Sequence, residues 1–355
     1  MKKIVLALAT TTLLGFQGYS QKTLKAAYSP FFTVGVAISP FSTKTDEANL
    51  ISQQFGSVTA ENAMKMGPIH PTEHEYSFAG GDTIAAFAKR NGLKMRGHTL
   101  CWHNQTPAWM FKDDAGNQVS KELLLQRLKE HITQVVQHYK GSVYAWDVVN
   151  EVISDNPNEF YRKSPWFEIC GEEFIEKAFQ WAHEADPDAL LFYNDYNEIN
   201  EGKRAKIIQM IRGLIQKGIP IHGIGLQGHW AISEPSKEQL DKTLEDFSKL
   251  GLDIQITELD ISIYPKEHNA REKIASDYDT SFTSERETKQ IEVYKTCFQA
   301  FRKYSKYIKS VTFWNISDRR SWLDNFPVKG RKDYPLLFDK DLNPKKAFSE
   351  IISFK

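Results

Sequence analysis

From residue 34 onward the chain repeats one pattern eight times: a short run of β-branched and apolar residues, then a stretch with helical periodicity. The spacing predicts strands over residues 34–38, 57–59, 94–99, 143–149, 190–193, 223–226, 253–257 and 311–313. Between them it predicts helices over 81–91, 121–140, 172–185, 203–217, 237–250 and 284–303. The clearest is 121–140, with Leu124, Leu128, Ile132, Val135, Val136 and Tyr139 on one face, Ser120 as N-cap and Gly141 just past the end. Eight uninterrupted strand-then-helix units predict an α/β protein, a closed (β/α)8 TIM barrel in a single domain. An open doubly wound sheet fits less well, because no glycine-rich phosphate turn follows the first strand.

Residues 1–20 differ in kind. Lys2 and Lys3 precede an apolar run over 4–16, and Gly18-Tyr19-Ser20 supplies small residues before Gln21. This reads as a secretory signal peptide, since the run is shorter than the ~20 residues that span a bilayer. The expectation is a barrel domain over 21–355, secreted or periplasmic and needing no membrane after leader removal. The chain has 45 basic and 45 acidic residues, and losing Lys2 and Lys3 leaves a formal charge of −2. Such neutrality argues against a nucleic-acid partner. Cys101, Cys170 and Cys297 allow at most one disulfide, and no zinc-type ligand spacing occurs, so no metal is expected.

A barrel of this kind carries its chemistry at the C-terminal ends of its strands. The most telling is Trp146-Asp147-Val148-Val149-Asn150-Glu151, a buried-looking strand that finishes on an amide and a carboxylate. The run before Glu258 does the same, with Asp260 just beyond. Other strand ends carry Glu61, Asn62 and Lys65; His98, Trp102 and His103; Asn194 to Asn197; Gln227 and His229; and Trp314, with Trp322 in the following loop. One His or Trp of this sort is more often a core residue. Seven consecutive polar and aromatic strand ends are hard to explain by packing.

Carboxylates, amides, histidines and a lysine can bind sugar hydroxyls, and indole rings can stack on the apolar faces of sugars. Two glutamates in such a cleft suit glycoside cleavage: one protonates the leaving oxygen, while the other attacks the anomeric carbon or activates water, according to their separation. Glu151 and Glu258 are the candidates. No cofactor is implied.

These motifs, in order from about residue 30 to the end, resemble glycoside hydrolase family 10, the endo-1,4-β-xylanases. The matching segments are residues 59–65, 96–103, 146–151, 193–197, 223–229, 256–260, Trp314 and Ser321-Trp322. The resemblance implies hydrolysis of internal xylan bonds with retention of configuration. Glu151 would be the proton donor and general acid/base, and Glu258 the nucleophile. Glu61, Asn62 and Lys65 would bind the sugar two units from the cut on its non-reducing side. His98, Trp102, Asn150, Gln227 and Trp314 would surround the sugar at the cut, and Trp322 would add to the binding surface. His229 would partner the nucleophile, with Asp260 behind it. Xylan and xylooligosaccharides are the implied partners of a monomeric enzyme. Met66, Asn315 and the charged loop over 264–283 depart from the family pattern.

Three other readings fit parts of the sequence. They are a β-1,4-glucan hydrolase on the same barrel, a metallohydrolase using His98, His103 and His229, and a carbohydrate-binding barrel without catalysis. Asp147 shares the strand parity of Glu151, so it should point into the barrel and need a partner such as Arg96 or His98.

Overall fold

A computed structural model describes residues 22–266 and 270–354, so the expected leader over 1–20 lies outside the described residues. The strands are β1 (Thr33–Ile38), β2 (Ser57–Ala60), β3 (Lys94–Cys101), β4 (Val143–Asn150), β5 (Leu190–Asp195), β6 (Gly223–Leu226), β7 (His229–Ala231), β8 (Asp253–Ser262) and β9 (Ile308–Phe313). Neighbouring strands run parallel in the order β6-β5-β4-β3-β2-β1-β9-β8, and β6 pairs with β8 to close the cylinder. The (β/α)8 barrel expected from the alternation is therefore present. β7 is a short added strand whose His229 lies opposite Asp260 of β8.

The strands form because Val34, Val36, Val58, Met95, Val148, Val149, Leu191, Ile224, Ile254, Ile256 and Val311 are buried inside the ring of helices. Side-chain caps set the starts of several helices. Ser120 accepts from the Leu123 N–H at Lys121–His138, Asn200 accepts from Lys203 N–H at Glu201–Gln216, and Ser236 and Gln239 form a capping box at Lys237–Ser248. The helix over Lys121–His138 stops two residues before the expected end. The helix Ser284–Lys303 has the expected bounds.

The first and last described segments pack together. The helix Leu24–Tyr28 brings Tyr28 against Phe32, Phe298 and Phe354, with ring centroids 4.9–5.2 Å apart. All three cysteines are buried free thiols, so the permitted disulfide is absent from the described residues.

Candidate active site

A charged layer inside the barrel supports the site. The Arg96 guanidinium donates to both carboxylate oxygens of Asp147, and its Nε donates to Gln255 Oε1 at 2.7 Å. His98 Nδ1 donates to Asp147 Oδ2 at 2.9 Å, which turns the ring edge-on to Trp314 at 5.2 Å. Asp147 is fully buried, and both partners expected for it are present. It lies under the cleft, where it orients His98.

Above this layer Glu151 follows the last residue of β4, and Glu258 lies within β8, four residues before its end. Trp102 Nε1 donates to Glu151 Oε2 at 2.8 Å, and Gln227 Nε2 donates to Glu151 Oε1 at 2.9 Å. His229 Nε2 donates to Glu258 Oε2 at 3.1 Å, and Asn194 Nδ2 donates to Glu258 Oε1 at 2.8 Å. Asn150 joins the two sides. Its Oδ1 accepts from Asn194 Nδ2 at 2.9 Å, and Gln227 Nε2 lies 3.5 Å from the same oxygen. Thr257 Oγ1 donates to Asn194 Oδ1 at 2.7 Å and fixes that amide.

The electrostatic settings of the pair are opposite. Burial raises the Glu151 pKa above its ordinary value, and the charges of Asp195 and Glu258 push the same way, against the bonds from Gln227 and Trp102. Burial also opposes ionisation of Glu258, but the His229 bond and the charges of His98, His229 and Lys65 outweigh it and hold Glu258 at about 2. His229 works against its own burial because Asp260 and Glu258 flank it, and it rises to about 10. Asp260 Oδ2 accepts from His229 Nδ1 at 2.9 Å and from Trp322 Nε1 at 2.7 Å. One carboxyl is thus built to keep a proton and the other to stay ionised.

The remaining candidates form one wall and the mouth. Lys65 Nζ donates to Asn62 Oδ1 at 3.0 Å and lies 5.0 Å from the Trp102 ring and 5.8 Å from the Trp314 ring. Burial lowers the Lys65 pKa, against the charges of Glu258, Glu61 and Glu151, which places the ammonium among the carboxylates. Glu61 and exposed Asn62 are at the rim, where Glu61 shares a recess with Phe41, Asn315 and Arg320. Trp322 is half-buried, 4.7 Å from the His229 ring and stacked on exposed Phe326 at 5.1 Å. Asn315, one of the departures from the family pattern, has φ 101° and accepts from Trp322 N–H at 3.0 Å, so its side chain seats that indole.

Two contributors have no role on sequence alone: Asn194 and Thr257. Asn194 belongs to a polar strand end, but only the fold shows it bridging Asn150 and Glu258. His103 does not join His98 and His229. It lies beside Trp102, and burial and the charges of Arg162 and Lys203 lower it to about 4. Among the described residues no cluster of three His, Cys, Asp or Glu is arranged to hold a metal.

A parallel barrel that sets a glutamate of raised pKa just past β4 and an ionised glutamate on β8, enclosed by indoles, amides and a lysine, defines a glycoside hydrolase site. The chain belongs to glycosyl hydrolase family 10, whose sequence model matches residues 23–354. It is 49% identical to a β-1,4-xylanase of Dictyoglomus thermophilum over 99% of this chain and 97% of that one. It is 43% identical to an endo-1,4-β-xylanase of Geobacillus stearothermophilus over 93% of this chain and 98% of that one. The crystal structure of xylanase XynB from Paenibacillus barcinonensis superposes with a TM-score of 0.90 at 46% identity, covering 94% of this chain and 99% of that one.

Proposed function

We propose that this protein is an exported, monomeric endo-1,4-β-xylanase that hydrolyses internal β-1,4-xylosidic bonds of xylan and xylooligosaccharides with retention of configuration, without a cofactor. The observation that carries this reading is the opposed electrostatic setting of Glu151 and Glu258 in a family whose similar members are named xylanases. Among the described residues no helix is long and apolar enough to cross a membrane.

In the first step Glu258, kept ionised by His229, attacks the anomeric carbon as Glu151 passes its proton to the leaving oxygen. In the second, Glu151 takes a proton from water, and that water displaces Glu258 from the sugar. Asn194 and Gln227 engage Asn150 through its Oδ1, which leaves its Nδ2 to donate to a 2-hydroxyl beside the nucleophile, a bond that strengthens as charge develops at the anomeric carbon. His98, Gln227 and Trp314 enclose that sugar, while Glu61, Asn62 and Lys65 receive the sugar two units toward the non-reducing end. Trp102 and Trp322 present ring faces on the two sides.

Reducing-sugar release from xylan, mixed-linkage β-glucan and carboxymethylcellulose tests the assignment, with Glu258→Ala as control. Xylan should be cleaved preferentially and the variant should be inactive. Faster turnover of either glucan would transfer the assignment to glucan, and binding without cleavage by the wild type would remove catalysis altogether.

A further inference from the structure

The backbone of Glu151 has φ 59°, the left-handed region that a side chain with a Cβ ordinarily avoids at a cost of ~1–2 kcal/mol. Such a conformation persists only where its surroundings over-determine it. Here the restraint falls on a single peptide unit, Glu151–Val152. Its carbonyl accepts from Arg162 Nε at 3.0 Å, and its N–H donates to the Tyr193 hydroxyl at 3.1 Å. Ile153 N–H reaches the same hydroxyl at 3.3 Å, Arg162 N–H donates to the Val152 carbonyl at 2.8 Å, and Glu151 N–H donates to the Asn194 carbonyl at 2.9 Å.

The two clamps are themselves connected. Arg162 donates through Nη2 to Asp155 Oδ2 at 3.2 Å and to the Tyr196 hydroxyl at 2.8 Å. Asp155 Oδ1 accepts from Lys203 Nζ at 2.9 Å, Lys203 also pairs with Asp195 Oδ1 at 2.9 Å, and the Tyr193 hydroxyl donates to Asp195 Oδ2. A ring of bonds therefore leaves the peptide at its carbonyl and returns at its N–H, through Arg162, Asp155, Lys203, Asp195 and Tyr193. Lys203 and Asp195 are almost completely buried, so removing Lys203 leaves Asp195 without its cation. None of the five side chains is bonded to the Glu151 carboxyl; Asp195 and Arg162 act on it by charge, and the bonds of the ring reach it through its backbone.

We propose that Arg162 and Tyr193 are positioning residues that set the aim of Glu151 toward the leaving oxygen by holding the Glu151–Val152 peptide from both sides. The proposal rests on Glu151 being the proton donor. A proton donor must be aligned with the departing oxygen, and a misplacement of ~1 Å can cost 10²-fold. Substrate affinity depends on other side chains, so the clamp should act on turnover rather than on KM.

The test is a leaving-group series of aryl xylobiosides with Arg162→Gln and Tyr193→Phe, alone and in a Glu151→Ala background, each variant checked for folding by circular dichroism and melting. For substrates with poor leaving groups, where glycosylation limits turnover, each single variant should lose ~10- to 100-fold in kcat with KM within about twofold, while kcat/KM for dinitrophenyl xylobioside, which reports glycosylation without need of a proton, should be nearly unaffected. In the Glu151→Ala background the same changes should have no further effect on poor leaving groups. Arg162→Lys, which keeps the charge and one donor, should recover part of the loss. Equal loss on good and poor leaving groups, or an effect that adds to that of Glu151→Ala, overturns the positioning role. A Glu151→Ala enzyme insensitive to leaving group would instead overturn the assignment of Glu151 itself. Should Arg162→Gln not fold, Tyr193→Phe decides alone, since it removes a single hydroxyl.

Discussion

Replacing His229 with Ala should move the acid limb of catalysis. Glu258 is held at about 2, against an ordinary value of 4.5, although burial alone would carry it upward. His229 provides the leading opposing contribution, through a 3.1 Å bond and a charge that Asp260 maintains on the other ring nitrogen. Without it, only the charges of His98 and Lys65 oppose burial, and the Glu258 pKa should rise from about 2 toward its ordinary 4.5, by up to about 2.5 pH units or about 3 kcal/mol in favour of the protonated form. The assay is kcat/KM between about pH 3 and 7 on an aryl xylobioside with a good leaving group, which removes the dependence on the proton donor. Below the raised limb each pH unit should cost about tenfold. His229→Gln, which keeps a donor without the charge, should give a limb between those of the wild type and His229→Ala. An unmoved acid limb in the folded His229→Ala variant would refute the claim that His229 keeps the nucleophile ionised.

The same pair should leave a signature in stability. Glu258 is depressed, so its contribution is complete above 4.5 and lost as pH falls toward 2; His229 is raised, so its contribution is complete below 6.5 and lost as pH rises toward 10. The Tm difference between wild type and His229→Ala should be greatest between about pH 4.5 and 6.5, and a difference that grew toward pH 10 would contradict this. Trp102→Phe removes a bond that stabilises ionised Glu151, so the alkaline limb of the kcat/KM profile should move to higher pH; an unmoved limb would contradict this. Asp147→Leu leaves Arg96 buried without its carboxylate, and urea unfolding should report a loss of ~3–5 kcal/mol. Gly97→Ala would drive a Cβ into the Trp146 ring and should cost ~1–3 kcal/mol in the same measurement.

Much of the barrel was legible because its strands are buried on both faces and stand out as apolar runs. Their ends were less so. The run over 253–257 stops where Glu258 and Asp260 begin, yet β8 continues to Ser262, because polar side chains at the barrel mouth face the cleft; β3 also outruns its expected end, through buried Leu100 and Cys101. The helix Glu47–Gln54 escaped notice because only Glu47 and Ile51 are buried, too few to produce a periodic stripe. The helix Pro165–Cys170 is a turn and a half, shorter than a periodicity window resolves. β7 is invisible for the same reason, although its His229 was singled out.

The chemistry of the site followed the same division. Glu151, Glu258, His229 and Asp260 were readable because polar residues that follow a buried apolar run have no packing role. Parity alone pointed Asp147 toward Arg96 and His98, and both bonds exist. Asn194 was visible as part of a polar strand end, but its bridging position depends on β5 lying between β4 and β6 and on the reach of Thr257 across the barrel. Arg162 lies in the loop after β4, eleven residues beyond Glu151, and no local pattern marks it as a partner of the Glu151 carbonyl.

The most direct measurement of the central claim is covalent trapping. Incubation with a 2-deoxy-2-fluoro-β-xylobioside bearing a good leaving group should inactivate the enzyme and add one fluoroxylobiosyl unit to the protein mass. Peptide mass spectrometry should then find the sugar on Glu258. A label on Glu151 would reverse the two roles, and cleavage of ordinary substrate with inversion and no adduct would contradict the covalent mechanism.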